Sequence, residues 1–178
     1  GALKETSLGE RRVALTPDSA SQLQKLGYTC LLEKNAGLDS GFSDEQYKAA
    51  GVEIINTAKE LTDKTDVIVK VLPPSESELQ RLSSSNTLIS FFYPGSNESL
   101  LLAAKSSEST VIAMDMVPRI SRAQKMDALS SMANISGYRA VIEAGNNFGR
   151  FFTGQMTAAG KVPPAKVLVV GAGVAGLA

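Results

Sequence analysis

The chain reads as an α/β protein. The expected fold is a doubly wound parallel-sheet domain, Rossmann-like or flavodoxin-like, followed by a bridging helix and the first strand of a second Rossmann domain. Three observations predict this. Strand-like and helix-like segments alternate from about Leu3 to Asp115, the pattern of a parallel sheet covered on both faces. A long helical stretch then runs from about Gln124 to Phe148. The chain ends in an apolar run, Lys166–Val170, followed by a G-x-G-x-x-G turn, Gly171–Gly176. These features divide the sequence into residues 1–123, 124–164 and 165–178.

Each element has a local reason. Residues before Leu3 read as the end of a first strand. Thr16 followed by Pro17 is a helix N-cap with proline at the first helical position, and Asp18 suits the positive end of the helix dipole. Leu23 and Leu26 give that helix an apolar face, and Gly27 stops it. A strand is expected over about Tyr28–Glu33. Ser43 and Gln46 form a capping box for a short helix ending at Gly51. A strand at Val52–Ile55 and a short helix near Thr57–Leu61 follow. Asp66–Val71 is a clear strand, terminated by Pro73-Pro74. Ser75–Leu79 begins another helix, Thr87–Phe92 another strand, Glu98–Lys105 a further helix, and Thr110–Asp115 the last strand of the series.

The texture changes at Pro118. Arg119, Arg122, Gln124, Lys125 and Asp127 crowd a short polar segment just after a strand, where ligands of α/β sheets usually sit. A solvated loop capped by Ser121 explains the same residues without a ligand. In the helix that follows, Ala133, Gly137, Ala140 and Ala144 place small residues at spacings of three and four, which lets another backbone approach closely. Tyr138 is expected to pack at the domain junction. Thr153–Pro164 reads as a connector stiffened by Pro163-Pro164.

Composition narrows the function classes. The 178 residues are 43% hydrophobic and 20% charged, enough for a real core. Eighteen basic residues balance eighteen acidic ones with no dense basic block, so nothing points to nucleic acid. No apolar run approaches the roughly 20 residues of a membrane span. The single Cys30 has no internal disulfide partner and reads as a buried strand thiol. Histidine is absent, which removes histidine acid–base chemistry, Ser-His-Asp triads and histidine-ligated zinc from this stretch.

The terminal glycines have a specific use. In such a turn the first glycine permits the bend, the second lets backbone approach a pyrophosphate, and the third lets helix pack on strand. Gly171, Gly173, Val174, Ala175 and Gly176 are therefore the candidate pyrophosphate contacts. The helix that should follow, and an acidic ribose-binding residue about 20 positions on, are expected outside this sequence.

The segment Asp115–Ala140, containing Pro-Arg-Ile-Ser-Arg-Ala-Gln-Lys-Met-Asp, strongly resembles the proton-translocating NAD(P) transhydrogenases, in their NAD(H)-binding component. Phe148–Lys166 and the glycine turn continue the match, and Arg11–Pro17 is similar to the opening shared with alanine dehydrogenases. The resemblance implies NAD(H) bound here and NADP(H) bound on a partner domain, with hydride passing directly between them. It also implies a membrane domain coupling transfer to proton translocation, and a homodimer. The component would be soluble and membrane-associated, facing the bacterial cytoplasm or the mitochondrial matrix.

By the same resemblance Arg119, Gln124 and Asp127 form the catalytic polar loop, with Gln124, Lys125, Met126, Asp127 and Ser130 as cofactor contacts. Asp127 is suited either to fix Arg119 or to accept from the ligand. Two other readings stand beside this one. An alanine dehydrogenase would carry Lys-Val-Lys-Glu-Pro after the third full strand and a histidine after the next; here Leu72 and Tyr93 stand at those places. A non-catalytic α/β dimerisation fragment is the other. Arg12 and Lys70 are expected as structural charges, Arg12 pairing with a carboxylate near the cleft and Lys70 sitting at a strand end.

Overall fold

The computed structural model describes residues 1–178 and divides them into two compact units, Gly1–Val117 and Pro118–Ala178. In the first, helices and strands alternate as the caps and periods require. They are α1 (Pro17–Lys25), β1 (Leu31–Glu33), α2 (Asp44–Ala49), β2 (Glu53–Ile55), α3 (Ala58–Lys64) and β3 (Val67–Val69). After them come α4 (Glu76–Leu79), β4 (Thr87–Ser90), α5 (Glu98–Ser106) and β5 (Thr110–Ala113).

The predicted cap of α1 forms: the Thr16 hydroxyl accepts from Ser19 N–H, and Thr16 N–H donates back to Ser19 Oγ at 2.9 Å. Ser43 and Gln46 close the predicted box on α2. Gly27 and Gly51, past the ends of α1 and α2, have φ of +92° and +78°, a region that favours glycine. The strands are shorter than the sequence suggests: β1 begins only at Leu31 and β4 ends at Ser90, leaving Tyr28–Cys30 and Phe91–Phe92 outside them.

All strand pairs in this unit are parallel. Ala2 bridges Leu32 on one side and Val69 on the other, so the N-terminal segment sits between β1 and β3. Counting it as the first strand, the order across the sheet is 3-2-1-4-5-6. That is the Rossmann order, not the flavodoxin one. Neighbouring residues of a strand point to opposite faces, and the two cores follow from this. Leu3 and Leu31 join Ile68, Leu88, Leu61, Leu79 and Phe92 in one cluster. Ala2 and Leu32 join Leu15, Ala20, Cys30, Tyr47 and Val52 in the other. Cys30 is the buried thiol its setting predicts.

The second unit is built differently. A 3-10 turn, Ser121–Met126, leads into α6 (Ala128–Asn147), so the long helix starts four residues later than its pattern suggests. The connector holds an antiparallel hairpin, β6 (Gln155–Thr157) and β7 (Gly160–Val162). Two expectations fail here. Tyr138 is 65% exposed instead of packed. Lys166–Val170 forms no strand, and Val167, Leu168, Val169 and Val170 are 71, 87, 60 and 91% exposed. A parallel strand exists only where neighbours supply hydrogen bonds on its edges, and no segment of this chain pairs with it. Conversely, a first helical turn does start after Gly173, α7 (Val174–Leu177), and includes Gly176. No helix is long and apolar enough to cross a membrane.

Candidate functional site

Open α/β sheets bind ligands beyond the carboxyl ends of their strands, where the strand order reverses. In the first unit that point lies between the N-terminal segment and β3. Glu5 follows the first and Lys70 the second. Both are buried, and they form an ion cluster with Glu78 of α4: Lys70 Nζ lies 2.7 Å from Glu78 Oε1 and 3.7 Å from Glu5 Oε2. Glu5 Oε1 accepts from Val71 N–H at 2.6 Å, while its Oε2 has no hydrogen-bond partner.

The two carboxylates differ in consequence. Burial pushes the Glu5 carboxyl up, against the pull of the Val71 N–H and Lys70. Burial also works to raise Glu78, but hydrogen bonds from Lys70 and Ser75 outweigh it and hold that carboxyl below the usual range. Lys70 is thus the centre of a buried cluster and not the simple strand-end charge expected from sequence. Arg12 does pair with a carboxylate, a local one: its guanidinium donates to Glu10 through Nε at 2.8 Å and Nη2 at 2.6 Å. Asp115, after β5, accepts from Phe92 N–H at 2.6 Å and Tyr93 N–H at 3.0 Å. It thereby holds Tyr93 at a φ of +51°, unusual for a side chain of that size. The crevice position of this unit is filled by its own charges.

The second unit carries an open cavity of about 340 Å³. One wall is Arg119 with Leu129, Ser130 and Ala133 of α6; the other is Val170, Gly171 and Gly173–Gly176. Each glycine has a distinct physical task. Gly171 has a φ of +101°, which the turn requires. A Cβ on Gly173 would meet nothing within 4 Å, so its backbone is open to an approaching group. A Cβ on Gly176 would fall 2.1 Å from Gly171 carbonyl oxygen, so only glycine lets the helix close on the turn. The bared backbone, the neighbouring Arg119 cation and a volume within the range of small-ligand sites fit a phosphate-bearing group.

The predicted polar loop divides in two. Arg119 and Ser130 line the cavity, whereas Gln124, Lys125, Met126 and Asp127 do not. Gln124, Lys125 and Met126 are exposed on the 3-10 turn, where the Gln124 carbonyl accepts from Asp127 N–H at 3.2 Å. Asp127 caps α6. Its Oδ1 accepts from Ser130 N–H at 2.9 Å and its Oδ2 from Ser130 Oγ at 2.6 Å. Ser130 Oγ–H, then Ser130 N–H, hold the Asp127 carboxyl below its usual range, with the Arg119 charge adding to them. Of the two roles expected for Asp127, the bond to Arg119 is replaced by this cap, because a carboxylate at a helix start is better satisfied by the free N–H groups of the first turn. Sequence reasoning missed Glu5 and Glu78; the one available signal was a glutamate two residues after Leu3, on the face that leads into the core.

A 3-2-1-4-5-6 parallel sheet, a long helix and a G-x-G-x-x-G turn together define a Rossmann-like α/β protein built for two domains. The chain belongs to the alanine dehydrogenase/PNT family. The model described as "Alanine dehydrogenase/PNT, N-terminal domain" matches residues 1–136, and that of the C-terminal domain matches 140–178. The NAD(P) transhydrogenase subunit alpha of Cereibacter sphaeroides is 68% identical over 178 residues, 100% of this chain and 34% of that protein. Among solved structures, the transhydrogenase from Sinorhizobium meliloti is 43% identical with a TM-score of 0.92, over 99% of this chain and 52% of that one. An L-alanine dehydrogenase is 27% identical with a TM-score of 0.83, over 99% and 49%. The chain thus spans a third to a half of the relatives it matches.

Proposed function

We propose that this chain forms part of the NAD(H)-binding component of a proton-translocating NAD(P) transhydrogenase, an oxidoreductase. The observation that carries the reading is the cavity in which the glycine turn faces Arg119 and Ser130. Bound NAD(H) supplies the hydride chemistry, and NADP(H) is held on a partner domain. The protein groups bind, orient and exclude water. Backbone N–H groups at Gly173–Ala175 take the pyrophosphate, with Val174 and Gly176 shaping the turn. Arg119 supplies a cation at the cavity wall, and Ser130 a hydroxyl whose direction Asp127 fixes. Gln124, whose amide both donates and accepts, is exposed beside Lys125 and Met126 on the turn that leads to this wall, free to meet the ligand's nicotinamide end. A membrane domain couples transfer to proton movement, two copies form a homodimer, and the component lies at the cytoplasmic or matrix face of its membrane.

Amino-acid dehydrogenation is disfavoured by particular residues. Leu72 and Tyr93 stand where an alanine dehydrogenase would carry its lysine and histidine. Lys70, the nearest cation, is already engaged by Glu78 and Glu5. Calorimetric titration of the complete component with NADH and NADPH tests the proposal. NADH is expected to bind more tightly; preferential NADPH binding, or turnover of alanine, would overturn it.

A further inference from the structure

The stripe of small residues on α6 has no role in the reading above, and one member of it is in an unusual position. Gly137 is the one buried residue of the 20-residue helix α6. Glycine weakens a helix interior relative to alanine, because it loses more backbone freedom on ordering. Its contact explains its presence. A Cβ at Gly137 would fall 2.1 Å from the carbonyl oxygen of Ala175, 2.9 Å from its carbonyl carbon and 3.0 Å from its Cα. Those atoms are backbone of the glycine turn, held in turn by the Gly176–Gly171 contact. No flexible side-chain end is present to move aside.

Ser130, Ala133 and Gly137 lie at spacings of three and four, on one face of the helix. The first two line the cavity. The third touches the turn that forms its opposite wall. The separation between the two walls is therefore set where Gly137 meets Ala175.

We infer that Gly137 is a positioning residue for dinucleotide binding: by admitting the Ala175 carbonyl against α6, it sets the turn at the distance from Ser130 and Arg119 that a pyrophosphate-bearing ligand requires. This rests on the NAD(H) reading of the cavity. An added methyl must push the turn away from α6 by an ångström or more, since backbone contacts under 3 Å are not tolerated. Bare N–H groups aimed at a phosphate lose their aim over such a distance.

The test is Gly137→Ala in the complete component, with affinities for NADH, ADP and adenosine, and hydrogen exchange along α6. Gly137→Ala is expected to weaken NADH and ADP at least tenfold, leave adenosine within twofold, and keep wild-type protection in α6. Ala140→Ser, at an exposed position of the same helix, is expected to change none of these. NADH affinity within twofold of wild type would overturn the inference while leaving the NAD(H) reading intact. Equal losses for adenosine, or loss of protection throughout α6, would also overturn it, since Gly137 would then serve the fold alone. A wild-type component that binds no NADH would remove the reading and the inference together.

Discussion

Apolar side chains meet different fates in the two units. Every buried hydrophobic side chain except Ala123 lies in Gly1–Val117, where strands alternate between two clusters and helices cover both faces. In Pro118–Ala178 the 20-residue α6 buries one glycine, and Val167–Val170 stands open. Hydrophobic content does not explain this, since Val-Leu-Val-Val is as apolar as any strand of the first unit. The difference is completeness of pairing. A parallel strand gains its burial from a paired neighbour and from helices above and below. Every strand of the first unit has a paired neighbour, and the second unit presents a glycine turn supported by one helix.

The sharpest way to break the comparison is to delete equal kinds of side chain from each unit. Leu88, 1% exposed at the centre of β4, is expected to cost about 2–5 kcal/mol when replaced by alanine. Val169→Ala is expected to change stability by no more than about 0.5 kcal/mol, as at other exposed sites. Denaturant unfolding of the chain followed by circular dichroism measures both. A loss at Val169 comparable to that at Leu88 would mean the terminal run is packed in solution.

The buried charges of the first unit give the next largest effect. Removing one partner of a buried pair costs about 3–5 kcal/mol, because a charge is left uncompensated. Glu78→Gln, which leaves Lys70 to Glu5 alone, should approach that figure at neutral pH. The sign with pH follows from the lowered Glu78 carboxyl. Its contribution is present above the unfolded carboxyl pKa of about 4.3 and is lost as pH falls through the still lower folded value. Wild type and Glu78→Gln should therefore converge in acid.

Glu5 has the opposite sign. Its carboxyl is raised, so its contribution is full below the unfolded pKa and is lost as pH rises through the folded one. Glu5→Gln should be neutral or slightly stabilising at neutral pH, with the gain disappearing in acid. Stability measured from pH 3 to 8 checks both variants. Equal losses at neutral pH would show that Lys70 depends on both carboxylates, and a larger loss for Glu5→Gln that Glu5 is its main partner.

These residues also mark where sequence reading stops. Helix starts were legible because caps are local: Thr16 with Pro17 and Ser43 with Gln46 sit within one turn of each other. Gly171 and Gly176 were legible because each meets its constraint within the same short turn. The ion cluster was not, since Glu5, Lys70 and Glu78 come together only when the N-terminal segment enters the sheet beside β3. The run Lys166–Val170 is the same case in reverse: its pattern states a capacity for pairing, and pairing is settled by other segments. Asp127 offers the sequence two roles, fixing Arg119 or accepting from a ligand, and neither anticipates that the groups nearest to it are the N–H and hydroxyl of Ser130.

The smallest expected effect compares two helix caps, one in each unit. Thr16→Ala removes the cap of α1, a helix whose Ala20 is fully buried. Because α1 unfolds with the core, the loss should appear as about 1 kcal/mol of global stability. Asp127→Ala removes the cap of α6, which has almost no buried side chains to couple it to a core. Its loss should leave the global transition unmoved and appear only as faster amide exchange near Leu129–Ser131. Acid should mimic the substitution, since the depressed Asp127 carboxyl keeps its hydrogen bonds above the unfolded pKa and loses them as pH falls through the folded one. Ser130 then loses the acceptor that fixes its hydroxyl at the cavity wall, so fraying here should weaken dinucleotide binding in the complete component without lowering its melting temperature. A global loss from Asp127→Ala equal to that from Thr16→Ala would show that the two units unfold as one, and the contrast between them would be of packing density alone.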